Sequence, residues 1–287
     1  MPSTIRIFCG KGGTGKTTIS LATAIRDAAR GRRVLVVTCH PLGELSASVS
    51  LEGLGAQYPG AAKNLFLVHL DPRELLAEAV QRYFPVAASA DQAVRNAILR
   101  NVVEVAPGLK AVSFVSRLQQ LAERKSPDGG PLYQTVIWDA PASAPLLGML
   151  RAARRFEPQR GGPLAEAAQD VARFFAAFPE ATPVVTLDEM AIDEAVELSV
   201  TLEREFGWRG TGVLLNMVSP VQDLEALSED PAFEFVFRRA RAERERAATL
   251  CGRVGIAGLP IPRLIHSGSD VALLGQIGGF LEASAAA

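Results

Sequence analysis

The chain has 287 residues, of which 48% are hydrophobic and 21% charged, and its 30 basic and 31 acidic side chains give a formal net charge of −1. That balance excludes a disordered chain and a chain-wide electrostatic pull toward nucleic acid or anionic lipid. The length allows one large core or two small ones, and single α/β domains of about 250 residues are common.

The first strand is read at residues 4–9, where Thr4-Ile5-Arg6-Ile7-Phe8-Cys9 alternates and is β-rich. Gly10 to Gly15 holds too many glycines for regular structure. Residues 17–30 then place Ile19, Leu21, Ala22, Ile25 and Ala28 at helical spacing, and Gly31 stops the helix. The run Val34-Leu35-Val36-Val37 fits a strand buried on both faces of a parallel sheet. Further strands are expected at 65–68, 135–138, 183–186 and 212–215, with a short last one at 258–261. Helical periodicity covers 73–82, 91–105, 110–123, 164–178, 192–205 and 233–251, and a final helix covers 271–281. Alternating short strands and helices predict an α/β fold, a doubly wound and mostly parallel sheet. Two stretches, 73–130 and 146–180, are rich in helix and read as a small helical cap beside one core domain spanning residues 1–287.

The strongest chemistry lies at Gly10-Lys11-Gly12-Gly13-Thr14-Gly15-Lys16-Thr17-Thr18, which matches the phosphate-binding pattern G-x4-G-K-[ST]. Glycines let backbone N–H groups turn inward around phosphate oxygens, and the following helix directs its positive dipole end at the same anion. Lys16 would reach the β- and γ-phosphates, and the Thr17 hydroxyl would ligate Mg²⁺. The match sits after a strand and before a helix, where the mechanism requires it. Asp139 ends an apolar strand, the place for a carboxylate that holds Mg²⁺ through water; the alternative is an N-cap for the segment that follows.

The form Lys-Gly-Gly-x-Gly-Lys-Thr-Thr resembles the deviant phosphate loop of the dimeric ParA- and MinD-like P-loop ATPases. In that group the extra lysine crosses the dimer interface to the partner's ATP, and the resemblance implies that role for Lys11. Val103 to Ala111, followed by a helix and then Tyr133 to Asp139, resembles the branch formed by the arsenite-pump ATPase ArsA and the guided-entry ATPase for tail-anchored proteins. Thr186-Leu187-Asp188-Glu189 before a helix resembles that branch's VTLPE segment. Asp139-Ala140-Pro141-Ala142 is closer to the ParA-type D-x-P-P. The resemblance implies a P-loop NTPase domain that binds ATP with Mg²⁺ and works as a nucleotide-dependent dimer with a protein client. The dimer would be a homodimer or a heterodimer with a paralogous ATPase.

One departure bears on turnover. Members of the family carry an acidic residue after the second strand, in D-P-A-H or D-P-Q-G, whereas this chain reads Thr38-Cys39-His40-Pro41-Leu42-Gly43-Glu44. His40 thus occupies the position of the water-orienting aspartate. Three readings stand: His40 acts as a neutral base, Glu44 substitutes, or the subunit binds ATP and hydrolyses it poorly. Asn216-Met217-Val218-Ser219 has serine where guanine selection wants aspartate, so the expected nucleotide is ATP. By the resemblance Asn216 contacts adenine, and the loop including Pro260 and Pro262 closes over the base; the alternative for Asn216 is a turn residue at a strand end.

The remaining candidates are weaker. His40, His69 and His266 are scattered, and Cys9, Cys39 and Cys251 contain no Cys-x-x-Cys pair, so neither a histidine–cysteine metal site, a disulfide framework nor an iron–sulfur cluster is expected. The apolar stripe Leu164, Ala167, Val171, Phe174, Phe175 and Phe178 is either core or a groove for a partner helix. Arg238, Arg239, Arg241, Arg244 and Arg246 alternate with acids and read as a solvated face. Arg151, Arg154, Arg155 and Arg160 have fewer acids nearby and leave open a ParA-like contact with DNA, which is not the expected partner. No apolar run nears the ~20 residues of a membrane span, and the first residues lack a signal pattern. A cytoplasmic location without membrane insertion is therefore expected.

Overall fold

The structure is a computed structural model that describes residues 3–39, 59–83, 107–155, 165–177, 179–208, 210, 212–220, 233–264 and 270–283. In chain order the strands are β1 (Thr4–Cys9), β2 (Val34–Thr38), β3 (Leu65–His69), β4 (Thr135–Asp139), β5 (Glu180–Val185), β6 (Val213–Val218) and β7 (Gly258–Pro262). The helices are α1 (Lys16–Ala29), α2 (Pro59–Asn64), α3 (Pro72–Tyr83), α4 (Pro107–Glu123), α5 (Ser143–Arg154), α6 (Ala165–Ala176), α7 (Glu189–Phe206), α8 (Glu234–Val254) and α9 (Asp270–Ala283). The expected helix at 91–105 lies outside the described residues.

All seven strands are parallel, in the order β3-β2-β4-β1-β5-β6-β7. The doubly wound α/β sheet read from the sequence is thus the observed fold. Side-chain alternation along the strands separates two faces. Phe8, Val34, Val36, Ile137 and Val184 pack with α1 and α9, while Ile7, Cys9, Val37, Val136 and Trp138 pack on the opposite face with residues of α4, α5 and α6. Both β2 and β4 are buried throughout, which is why they read as unbroken apolar runs.

Several boundaries differ from the sequence pattern for physical reasons. The helix expected at 110–123 starts at Pro107, since proline suits the first helical position. Strand β5 starts at Glu180 rather than 183, because Glu180 pairs with Arg6 across the ladder and bonds its Nε at 2.9 Å. Helix α7 starts at Glu189 rather than 192: Asp188 is its N-cap and accepts from Ala191 N at 3.0 Å. Helix α2, in Pro59-Gly60-Ala61-Ala62-Lys63-Asn64, has no periodic signal and was not expected.

The stripe on α6 turns inward. Phe174 is fully buried, with its ring centroid 6.5 Å from that of Trp138 and 5.7 Å from that of Trp208. Phe175 stacks on Phe206 at 5.6 Å with an interplanar angle of 9°. Core packing accounts for these residues; Leu164 and Phe178 lie outside the described ones. The aromatic cluster stands behind Trp138, the neighbour of Asp139. Phe174→Ala will lower the unfolding free energy by about 3–5 kcal/mol. The control Phe235→Ala, at a side chain 75% exposed, will change it by less than about 0.5 kcal/mol. Urea unfolding followed by tryptophan fluorescence reads both.

Candidate functional site

Parallel α/β sheets bind ligands at the carboxyl ends of their strands, where the strand order reverses. Here β1 is central: the chain moves from it to β2 and β3 on one side and reaches β5, β6 and β7 on the other. The glycine loop leaves β1 at this point, and α1 begins at Lys16.

Two glycines of the loop are required by their surroundings. Gly10 has φ +136, and a Cβ there would lie 2.5 Å from the Val184 carbonyl oxygen of β5. Gly15, the N-cap of α1, has φ +90, and a Cβ there would lie 2.3 Å from Asn216 Nδ2. A side chain at either position meets both an unfavourable backbone conformation and a neighbour already in place.

Inside the loop the polar groups converge. Lys16 is buried, and its Nζ donates to the Lys11 carbonyl at 2.8 Å. Thr14 Oγ1 donates to the same carbonyl at 3.0 Å. Burial pulls the Lys16 ammonium below the usual lysine range, and the charge of Asp139 opposes that shift. Asp139 is 1% exposed at the end of β4. Thr17 Oγ1 donates to Asp139 Oδ2 at 2.8 Å, and Ser20 Oγ lies 3.5 Å from Oδ1. The sequence placed Thr17 and Asp139 122 residues apart; the parallel pairing of β1 with β4 brings them together.

The donor set fits Mg²⁺, which takes hard oxygen ligands and characteristically keeps one or two protein groups beside phosphate and water. Among the described residues no group of three or more His, Cys, Asp or Glu could hold a metal by itself. The glycine loop fits a phosphate chain: it leads into the N-terminus of α1, the Lys16 ammonium lies against it, and the space beside Gly12 and Gly13 is open. Thiolate chemistry does not fit: burial pushes the thiols of Cys9 and Cys39 up to about 12 each.

The other expected site residues fall around this centre. Gly12, Gly13 and Thr18 belong to the loop and the first turn of α1. Asn216 is buried, donates from Nδ2 to the Thr14 carbonyl at 2.8 Å and accepts at Oδ1 from Met217 N at 3.0 Å. Pro260 and Pro262 lie in the edge strand β7, where a missing N–H is tolerated. A cleft of about 240 Å³ opens beside Asn216, lined also by Asp188, Met217, Arg239, Arg246 and Arg263. His40 and Glu44 lie outside the described residues.

Sequence reasoning missed Asp188. Its carboxylate caps α7, accepts from Thr186 Oγ1 at 2.6 Å and stands 3.9 Å from Lys11 Nζ. An aspartate directly before a helical period is an N-cap signal that could have found it. Two members of the first arginine cluster are engaged within the chain, and Arg160 lies outside the described residues: Arg151 makes a two-pronged bond to Glu205 at 2.6 and 2.7 Å. Arg154 reaches the Glu205 carbonyl and lies over Phe206, 5.6 Å from its centroid. In the second cluster Arg239 pairs with Glu243 and Arg241 with Glu245, each at 3.0 Å. No helix among the described residues is long and apolar enough to cross a membrane.

The model of the family described as anion-transporting ATPase matches residues 3–176. A protein of Prosthecochloris vibrioformis that carries the name of an arsenical pump-driving ATPase is 32% identical over 149 residues, 51% of this chain and 35% of its own length. ATPase BagA of Mycobacterium tuberculosis is 24% identical over 207 residues, 67% of this chain and 59% of its own. ATPase GET3 of Chaetomium globosum is 28% identical over 144 residues, 50% of this chain and 40% of its own. The chain therefore spans less than two thirds of each of these relatives.

The cap at Asp188 generates a stability test. The Thr186 hydroxyl holds the Asp188 carboxyl below the usual aspartate range against a smaller opposing effect of burial, and the Ala191 N–H adds to it. A depressed folded value means that its stabilisation is complete above the unfolded value of about 3.9 and disappears as pH falls through the lower folded value. At pH 7 Asp188→Ala will cost about 1 kcal/mol and Asp188→Asn only a few tenths, measured by urea unfolding.

Proposed function

The chain belongs to the anion-transporting ATPase family, and on that premise we propose that it is a Mg²⁺-dependent ATP-binding switch of the ArsA and guided-entry type, with ATPase activity. The observation that carries this reading is the convergence of Lys16, Thr17 and Asp139 on the mouth of the glycine loop. The loop N–H groups and Lys16 would take the β- and γ-phosphates. Thr17 directly, and Asp139 through water, would hold the metal ion, which supplies charge neutralisation at the phosphates. Lys16 gains an anionic partner in this arrangement, which favours its charged form against the burial that now disfavours it. The adenine base would lie in the cleft beside Asn216, which Arg263, the residue after β7, also lines; by the family resemblance the loop including Pro260 and Pro262 would close over it.

Two copies of the chain, or this chain and a paralogue, would enclose the nucleotide, with Lys11 of each reaching the other's phosphates. The γ-phosphate would order the segments after β2 and β4, and a protein client would read that order. The outward sides of the helices within 73–130 and 146–180, of which α4, α5 and α6 pack inward on the sheet, would serve as the client-facing surface. A cytoplasmic setting follows from this reading, and DNA is not proposed as a partner.

A second reading is favoured by His40 in the place of an acidic residue. In it the chain is a scaffold subunit that binds ATP and turns it over slowly. The two readings share the binding site and differ in the group that orients the attacking water.

Titration calorimetry tests the shared step. The chain will bind ATP or a non-hydrolysable analogue with Mg²⁺, and Lys16→Ala will abolish the heat; no uptake by the parent chain would overturn the proposal. Phosphate release separates the readings. If the chain is a scaffold, His40→Asp will raise turnover by two or more orders of magnitude, an expectation drawn from the weight of water positioning. If it is an active ATPase, the same substitution will leave turnover unchanged or lower it.

A further inference from the structure

We infer that Asn216 is a positioning residue that holds the phosphate loop in its binding shape, acting on the triphosphate through the loop. The inference rests on the nucleotide-binding reading above and assigns this asparagine a task within it that is separate from recognising a base.

Local backbone geometry aims the side chain. The pairing of β6 with β7 runs in register from Val213↔Gly258 to Leu215↔Pro260, then shifts so that Val218 faces Pro262. The two residues at the shift are Asn216 and Met217. Met217 has φ +58, the one positive φ at a non-glycine among the described residues. Such an irregularity in a strand redirects the side chain beside it. Here it turns the Asn216 amide away from the ladder and toward the loop that follows β1. The Met217 N–H, displaced from the ladder, is taken up by Asn216 Oδ1 at 3.0 Å.

The hydrogen bonds then run in one chain. Asn216 Nδ2 donates to the Thr14 carbonyl at 2.8 Å. Thr14 Oγ1 donates to the Lys11 carbonyl, which also receives Lys16 Nζ. Thr14 is 2% and Asn216 6% exposed, so water offers these groups little competition. The fit is close enough that Gly15 has no room for a Cβ, because Asn216 Nδ2 would stand 2.3 Å from it. One amide N–H and the side-chain carbonyl of Asn216 are thereby engaged within the protein. A two-pronged contact with the amino edge of adenine would have to use the second amide N–H and the second lone pair of that oxygen.

Mg²⁺-tripolyphosphate separates the two tasks, because it carries the phosphate chain and no base. Asn216→Ala and Asn216→Asp will weaken tripolyphosphate and ATP by the same factor, about tenfold or more for loss of a buried hydrogen bond. The aspartate keeps the acceptor for Met217 N but sets a carboxylate against the Thr14 carbonyl. Loss of ATP binding with tripolyphosphate held at the parental affinity would overturn the inference in favour of base recognition. No change with either ligand would overturn it as well.

A second arm needs no ligand. Hydrogen exchange of the loop amides at 10–15 will quicken in both variants while the amides of β1 and β4 keep parental rates. Unchanged loop exchange would overturn the inference. A parent chain that binds neither ATP nor tripolyphosphate would instead overturn the nucleotide reading, and the exchange arm would still decide the role of Asn216.

Discussion

The close passage of the glycine loop against two neighbouring strands is the constraint on which the site depends. At one end the loop leaves β1 so near β5 that Gly10 stands against the Val184 carbonyl. At the other end Gly15 enters α1 beneath the amide of Asn216. A flexible glycine segment loses much conformational entropy when it is ordered. The walls supplied by β5 and β6 provide the contacts that offset part of that cost. The loop's shape is therefore a property of three strands, although its motif is confined to nine consecutive residues.

Burial gives the polar groups inside this frame their leverage. Asp139, Thr14 and Lys16 are all largely removed from water, where unpaired polar atoms are costly. Each is accounted for locally: Lys16 and Thr14 by the Lys11 carbonyl, Asp139 by the Thr17 hydroxyl. Two of those donors, Lys16 Nζ and Thr17 Oγ1, are the atoms that phosphate and metal would engage under the proposed reading. The aromatic packing behind Trp138 fixes the end of β4, and so the place of Asp139, from the opposite side of the sheet.

Much of the fold was legible because its signals are local. Val34 to Val37 and Thr135 to Trp138 are short apolar runs that fit a doubly covered strand, and the loop motif identifies itself by spacing. Boundaries moved where a single side chain decides them, as Asp188 does for α7 and Glu180 for β5. The convergence of Asn216 on Thr14 spans 202 residues and follows from strand order and a register shift. Periodicity carries neither. The family resemblance placed Asn216 beside the nucleotide, but which of its atoms are already committed becomes visible only in three dimensions.

Lys11 and Asp188 join the loop's outer lip to the first turn of α7. Both groups are partly exposed, at 31% and 57%, and lie 3.9 Å apart, so water and salt weaken their attraction. The cap itself does not depend on the lysine, because Thr186 and the Ala191 N–H hold the carboxylate in place. Lys11 can therefore leave Asp188 at small cost while α7 keeps its terminus. The loop's two lysines differ in this respect: Lys16 is enclosed and points into the loop, whereas Lys11 is tethered lightly at its rim. A multiply charged phosphate chain attracts a lysine more strongly than one screened carboxylate does. Strength of attachment, read from burial and distance, thus separates the lysine built to stay from the lysine free to move.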